Sequence, residues 1–203
     1  MIAALYVKTG GPYFELNGVD PWDEPRDARA YAGPHPVVAH PPCERWGRYW
    51  HGGPSARVRR VKGDDAGCFE AALEAVRAYG GVLEHPEASA AWPTFGIMKP
   101  PRSGGWHKAD DYGGMTCCVE QGHYGHPARK ATWLYAVGCE LPELVWGSCS
   151  GKMRMDDGYH SAEDRARRAP TAPKLTRLTK AQRIETPIAF RDVLLAMART
   201  VKP

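Results

Sequence analysis

No uninterrupted apolar stretch of this chain approaches the roughly 20 residues that a bilayer-spanning helix needs. No basic leader precedes the short apolar run Ile2-Ala3-Ala4-Leu5-Tyr6-Val7. Both absences predict a soluble, cytoplasmic protein with no membrane partner. A regular cysteine framework is lacking as well. The six cysteines, Cys43, Cys68, the adjacent Cys117 and Cys118, Cys139 and Cys149, are spaced unlike a secreted disulfide scaffold and are read as reduced thiols. There is no internal repeat, which excludes solenoids and propellers. Neither sign of charge dominates: a net charge of +4 over 203 residues mildly favours a polyanionic partner without requiring one. With 43% hydrophobic residues the chain can bury one core, and it is too short for two full domains. Residues 1–203 are therefore read as a single α/β domain.

What is present is organised around Pro36-Val37-Val38-Ala39-His40-Pro41-Pro42-Cys43-Glu44-Arg45-Trp46-Gly47-Arg48. An apolar run short enough for a buried strand meets two prolines, which cannot extend a ladder, and a thiol follows at the tip. In open α/β sheets ligands collect at that carboxyl edge, so Cys43 is placed as a nucleophile would be. A small buried hydrophobe is the competing reading. The segment after Cys43 interleaves Arg45, Trp46, Arg48, Tyr49 and Trp50 and continues to Arg57, Arg59, Arg60 and Lys62. Cations neutralise phosphates and flat rings receive unstacked bases, so a nucleic-acid surface is weighed here against a solvated loop with core tryptophans.

Along the chain, Ile2–Val7 reads as a first strand with a glycine turn at Gly10-Gly11, and residues 17–34 read as loop with at most one short helix. Val37–His40 reads as a second strand. Asp64-Asp65 opens a helix striped by Phe69, Leu73 and Val76, and Gly80-Gly81 caps it. Gly81–Pro86 is a third strand, whose crossover connection places Glu84 on the edge that carries Cys43. Residues 115–121 and 132–137 supply further strands. The nearby Cys117, Cys118, His123 and His126 do not follow the paired spacing of structural zinc sites, and no metal is assigned. Residues 146–185 form a basic excursion or small recognition insert. Thr186-Pro187 then opens a final helix, threonine as cap and proline in its first turn.

The order of Pro42-Cys43-Glu44, Glu84-His85-Pro86 and Tyr124-Gly125-His126-Pro127-Ala128-Arg129-Lys130-Ala131-Thr132 resembles the DNA (cytosine-5) methyltransferases. That family carries Pro-Cys-Gln, Glu-Asn-Val and Gln-x-Arg-x-Arg in the same order. Leu5-Tyr6-Val7-Lys8-Thr9-Gly10-Gly11 looks like its cofactor loop, and Thr186-Pro187 like its final cofactor-side element. The resemblance implies a truncated doubly wound, Rossmann-like methyltransferase sheet with flanking helices and a basic surface excursion. It implies catalysis by Cys43, Glu84 and Lys130, with S-adenosylmethionine against Tyr6, Gly10, Gly11 and Thr186, and DNA against Arg45, Trp46, Arg48 and Arg129. Asp20 and Asp27 are its candidates for the ribose acid.

The chain departs from that pattern at Ala4, where the family has aspartate, and at Lys8, where it has glycine. Ala128 replaces glutamine and Thr132 replaces the second arginine. Two alternatives follow: a pyrimidine-modifying enzyme that uses the same Cys and Glu chemistry without S-adenosylmethionine, on a base or a free nucleotide, or a non-catalytic DNA-binding remnant of the fold.

Overall fold

A computed structural model describes residues 1–52, 57–155 and 175–202. Seven strands form one mixed sheet: β1 (Ile2–Leu5), β2 (Val19–Trp22), β3 (Val37–Ala39), β4 (Gly81–Pro86), β5 (His107–Lys108), β6 (Met115–Glu120) and β7 (Ala131–Val137). Their spatial order is β2-β1-β3-β4-β7-β6-β5. The first four are parallel to one another, and β7 lies antiparallel between β4 and β6. Helices α1 (Cys68–Tyr79), α2 (Ala91–Thr94), α3 (Lys180–Ile184) and α4 (Ile188–Arg199), with 3-10 turns over Ala28–Ala30 and Gln121–Tyr124, complete the described elements.

Strand alternation divides the core between the two faces of the sheet. Ala3, Leu5, Val37, Ala39 and Leu83 meet Phe69, Leu73 and Val76 of α1 on one side. Ile2, Ala4, Val38 and Val82 meet Phe190, Leu194, Leu195 and Met197 of α4 on the other. Because both faces are covered, β1 and β3 are apolar throughout rather than alternating with polar residues. Cys117 and Cys118, neighbours on β6, fall into opposite core clusters. They therefore cannot ligate one ion together. No helix among the described residues is long and apolar enough to cross a membrane.

The fold is mixed α/β, as expected, with one strand more than the sequence reading places before Val37. Residues 19–22 form β2, where loop was expected. Pro21 hides it, since proline cannot donate to a ladder, but β2 pairs only with β1 and so tolerates it at the sheet edge. The expected short helix appears as a 3-10 turn over Ala28–Ala30. Helix α1 begins at Cys68 rather than Asp64, because the Asp65 carboxylate accepts from the Gly67 and Phe69 amides ahead of the first turn. In the basic excursion, residues 156–174 lie outside the described residues. Its described flanks make isolated bridges outside the sheet, Met153 with Ala128 and Arg154 with Arg177.

At Gly81 the chain leaves α1 and enters β4 with φ at +119°. A Cβ there would sit 2.0 Å from the Val37 carbonyl oxygen and 2.7 Å from the Val37 nitrogen. Gly81→Ala is expected to cost about 3 kcal/mol or more, through combined left-handed strain and backbone overlap. Urea denaturation of the two proteins measures it.

Candidate active site

The carboxyl edge of the parallel strands gathers the functional side chains. After β3, the His40 amide still donates to the Leu5 carbonyl at 3.1 Å, and Pro41-Pro42 then end the ladder. The Cys43 carbonyl accepts from the Trp46 and Gly47 amides at 3.1 and 2.8 Å, which folds the chain into a tight turn with the half-buried thiol at its start. Glu84 lies within β4, opposite Leu134 of β7, and Lys130 immediately precedes β7. Since β7 runs antiparallel, its first residues reach the edge where β3 ends.

Each of these three groups alters the charge of the others. Burial pushes the Cys43 thiol up, the Glu84 charge adds to that, and Lys130 pulls it back down. Burial lowers the Lys130 ammonium against the opposing pull of Glu84 and Cys43. Burial alone would raise the Glu84 carboxyl, but the hydrogen bond to His40 and the Lys130 charge outweigh it and hold it at about 2. The acid is therefore ionised at neutral pH, and the thiol rests protonated.

Glu84 is also firmly held. Its Oε1 accepts from Gln121 Nε2 at 3.0 Å, and its Oε2 lies 3.1 Å from His40 Nδ1. Gln121 also donates to Thr132 Oγ1 at 2.9 Å, while its side-chain oxygen is buried without a partner among the described residues. Lys130 Nζ donates to the Glu185 carbonyl at 2.8 Å, drawing the segment ahead of α4 to the same edge.

The proposed cofactor residues follow β1. Tyr6 and Gly10 adopt left-handed backbone at φ 59° and 64°. Among the described residues the buried Tyr6 hydroxyl has no partner. The Gly11 amide donates to the Lys8 carbonyl at 2.9 Å, and a Cβ on Gly11 would meet that oxygen at 2.7 Å, so the turn requires glycine. Thr186 stands ahead of α4, but Pro187 rather than Thr186 occupies the cap position and no side chain caps the helix. Arg191 of α4 donates to the Pro12 carbonyl at 2.6 Å, tying that helix to the glycine turn.

Neither aspartate named as the ribose acid lies at the tip of β2. Asp20 lies within the strand, its carboxylate taken by Arg26 at 2.5 Å and Trp22 Nε1 at 2.8 Å. Asp27 turns away to Arg29 at 2.7 Å and caps the 3-10 turn. The residue that immediately follows β2 is Asp23, buried and accepting from Thr9 Oγ1 at 2.8 Å. An acid directly after a second strand was the available signal, lost because β2 itself was hidden.

Of the proposed nucleic-acid contacts, Arg48 is exposed and Arg45 is half-buried. Arg129 donates to the Glu120 carboxylate at 2.7 Å and to Ser148 at 3.0 Å, so its charge is locally matched. Trp46 is not a base platform. It is 5% exposed, packs against Phe69 and Phe95, and donates to Asp65 at 2.7 Å. Trp46→Ala is expected to cost about 3–5 kcal/mol of folding stability, as emptied core aromatic sites do. Thermal unfolding checks this; a base-stacking ring would instead leave the melting temperature unchanged.

Two surface concavities lie away from this edge. One of about 810 Å³ is lined by Asn17, His35, Gly80 and Gly138, at the opposite end of the strands, and one of about 410 Å³ lies between Tyr124, Leu141 and Met197. Neither includes Cys43 or Glu84. Among the described residues no cluster of three or more His, Cys, Asp or Glu could hold a metal ion. Comparison with protein-family models, with curated proteins and with solved structures finds no match.

Proposed function

We propose that this protein modifies carbon 5 of a pyrimidine through a Cys43 adduct, as an S-adenosylmethionine-dependent cytosine methyltransferase acting on DNA, built on a reduced doubly wound sheet. The observation that carries the reading is the convergence of Cys43, Glu84 and Lys130, from three separate segments, at one strand edge within electrostatic reach of one another. A cytosine ring is too electron-poor to attack an electrophilic methyl group unaided. Addition of the Cys43 thiolate to C6 makes C5 nucleophilic, and a carboxylate on the opposite side of the ring accepts from the exocyclic amine and steadies the adduct. Lys130 favours the thiolate over the thiol, against burial and the Glu84 charge.

For the cofactor, the turn at Gly10-Gly11, the buried Asp23 at the β2 tip and the unpartnered Tyr6 hydroxyl offer a backbone cradle, an acid for ribose hydroxyls and an unused polar group. When bound, S-adenosylmethionine would supply the electrophilic methyl group. DNA is favoured as substrate by the exposed cations Arg48, Arg57, Arg59, Arg60 and Lys62 downstream of Cys43.

A specific observation favours the second reading. The β1 position where the resemblance calls for an acid is Ala4, wholly buried in the core, so that contact to the amino-acid end of the cofactor has no replacement there. In this reading the same thiol and acid serve another C5 substitution, on DNA or a free pyrimidine nucleotide. Titration calorimetry with S-adenosylmethionine, with mass spectrometry of nucleosides from DNA exposed to the protein in cells, separates the two. Binding together with methylcytosine is the expected result. A new pyrimidine mass without binding selects the second reading, and no binding with no new base overturns both.

A further inference from the structure

The hydrogen bonds around Glu84 continue away from Cys43 into the protein. His40 Nδ1 lies 3.1 Å from Glu84 Oε2, and His40 Nε2 lies 2.7 Å from the Tyr13 hydroxyl. Tyr13 is 4% exposed and Glu84 8%. Three segments build this chain: the loop after β1, the tip of β3, and β4. Because His40 stands three positions before Cys43, the imidazole is anchored on the same short loop as the nucleophile.

The two partners of His40 differ in a way that matters. An ionised carboxylate only accepts, whereas a phenol hydroxyl both donates and accepts. A neutral imidazole can therefore donate from Nδ1 to Glu84 and accept from Tyr13, and an imidazolium can donate to both. In the Nδ1–H neutral form and in the imidazolium alike, the two imidazole nitrogens keep Glu84 and Tyr13 as partners. The charged and titratable groups facing the chain are Cys43, Lys130 and His85, which interact with Glu84, and Arg191 and Asp192, which act on Tyr13.

The adduct chemistry above requires such a proton. When sulfur bonds to C6, the C5–C6 double bond shifts to C4–C5 and the displaced electron pair settles on ring nitrogen N3, which takes up a proton. Glu84 is ionised and has none of its own to give. We propose that His40 is the positioning residue that orients Glu84 and, through that carboxyl, supplies the proton N3 takes up, with Tyr13 holding the other imidazole nitrogen. The proton moves from His40 Nδ1 to Glu84 Oε2 and on to N3, leaving a neutral imidazole whose Nε2–H still donates to Tyr13 and whose bare Nδ1 faces Glu84 until the proton returns. When sulfur departs, N3 returns its proton along the same path.

This inference rests on the adduct reading of the previous section, and its test separates the two. The rate of denaturation-resistant complex formation with 5-fluorocytosine DNA, with S-adenosylmethionine present, is measured against pH for the wild type, His40→Gln and Tyr13→Phe. In His40→Gln, which keeps an N–H for Glu84 but has no proton to pass on, the rate should drop at least about tenfold and its pH profile should change shape, whereas Tyr13→Phe should keep the wild-type shape. Side-chain nitrogen NMR of His40, which needs no substrate, should change in Tyr13→Phe and in Glu84→Gln. A His40→Gln profile identical to the wild type, or His40 nitrogens indifferent to both neighbours, overturns the relay alone. A wild type that forms no complex overturns the adduct reading and the relay with it.

Discussion

Cys43→Ser is expected to abolish covalent capture of 5-fluorocytosine DNA, lowering the rate of complex formation by at least about 10³-fold. The serine oxygen is nearly isosteric with the thiol but ionises far less readily, and the Lys130 charge that favours a thiolate is too weak to ionise an alcohol. The cost to folding should stay within about 1 kcal/mol, since Cys43 is half-buried and its turn is held by backbone bonds to the Cys43 carbonyl rather than by the sulfur. Denaturing gel electrophoresis of both proteins with the fluorinated DNA reads the first quantity, and urea denaturation the second. Equal capture by the two proteins would remove Cys43 from the chemistry. DNA binding that survives the substitution alongside no capture by either protein would point to a remnant that binds without reacting.

What the sequence disclosed of this site depended on how locally each part is encoded. Cys43 and Glu84 could be found because each sits on an apolar run ended by proline, a pattern confined to a few residues. Helix α1 and strand β4 were readable for the same reason: the Phe69, Leu73 and Val76 stripe and the Gly80-Gly81 break carry their own period and stop signal. The partners of Glu84 have no such local mark. Tyr13 reaches His40 across 27 positions, His40 reaches Glu84 across 44 and Gln121 reaches Glu84 across 37. Only the order of strands in the sheet brings them together. Asp23 was missed for a different reason, since Pro21 argued against the very strand that places it. Trp46 was misassigned because arginines flank it in sequence, while in space Phe69, Phe95 and Asp65 surround it.

The Glu84 carboxylate should also be visible in the acid stability of the protein. Its folded-state value of about 2 lies below the ordinary 4.5. A group depressed on folding contributes stability that is fully present above its unfolded value and is lost as pH falls toward its folded one. For Glu84 the window therefore runs from about pH 5 down to about pH 2. Linkage makes the contribution about 3 kcal/mol at neutral pH, with about 2 kcal/mol of it gone by pH 3. Glu84→Gln removes the titration while keeping the shape, so the stability difference between wild type and variant should narrow by about that amount between pH 6 and pH 3. Urea denaturation across this range measures it. A difference that instead widens as pH falls from 6 would mean that Glu84 is already protonated in the native state near neutral pH. The acid would then carry its own proton to the ring, and the demand that His40 answers would not exist.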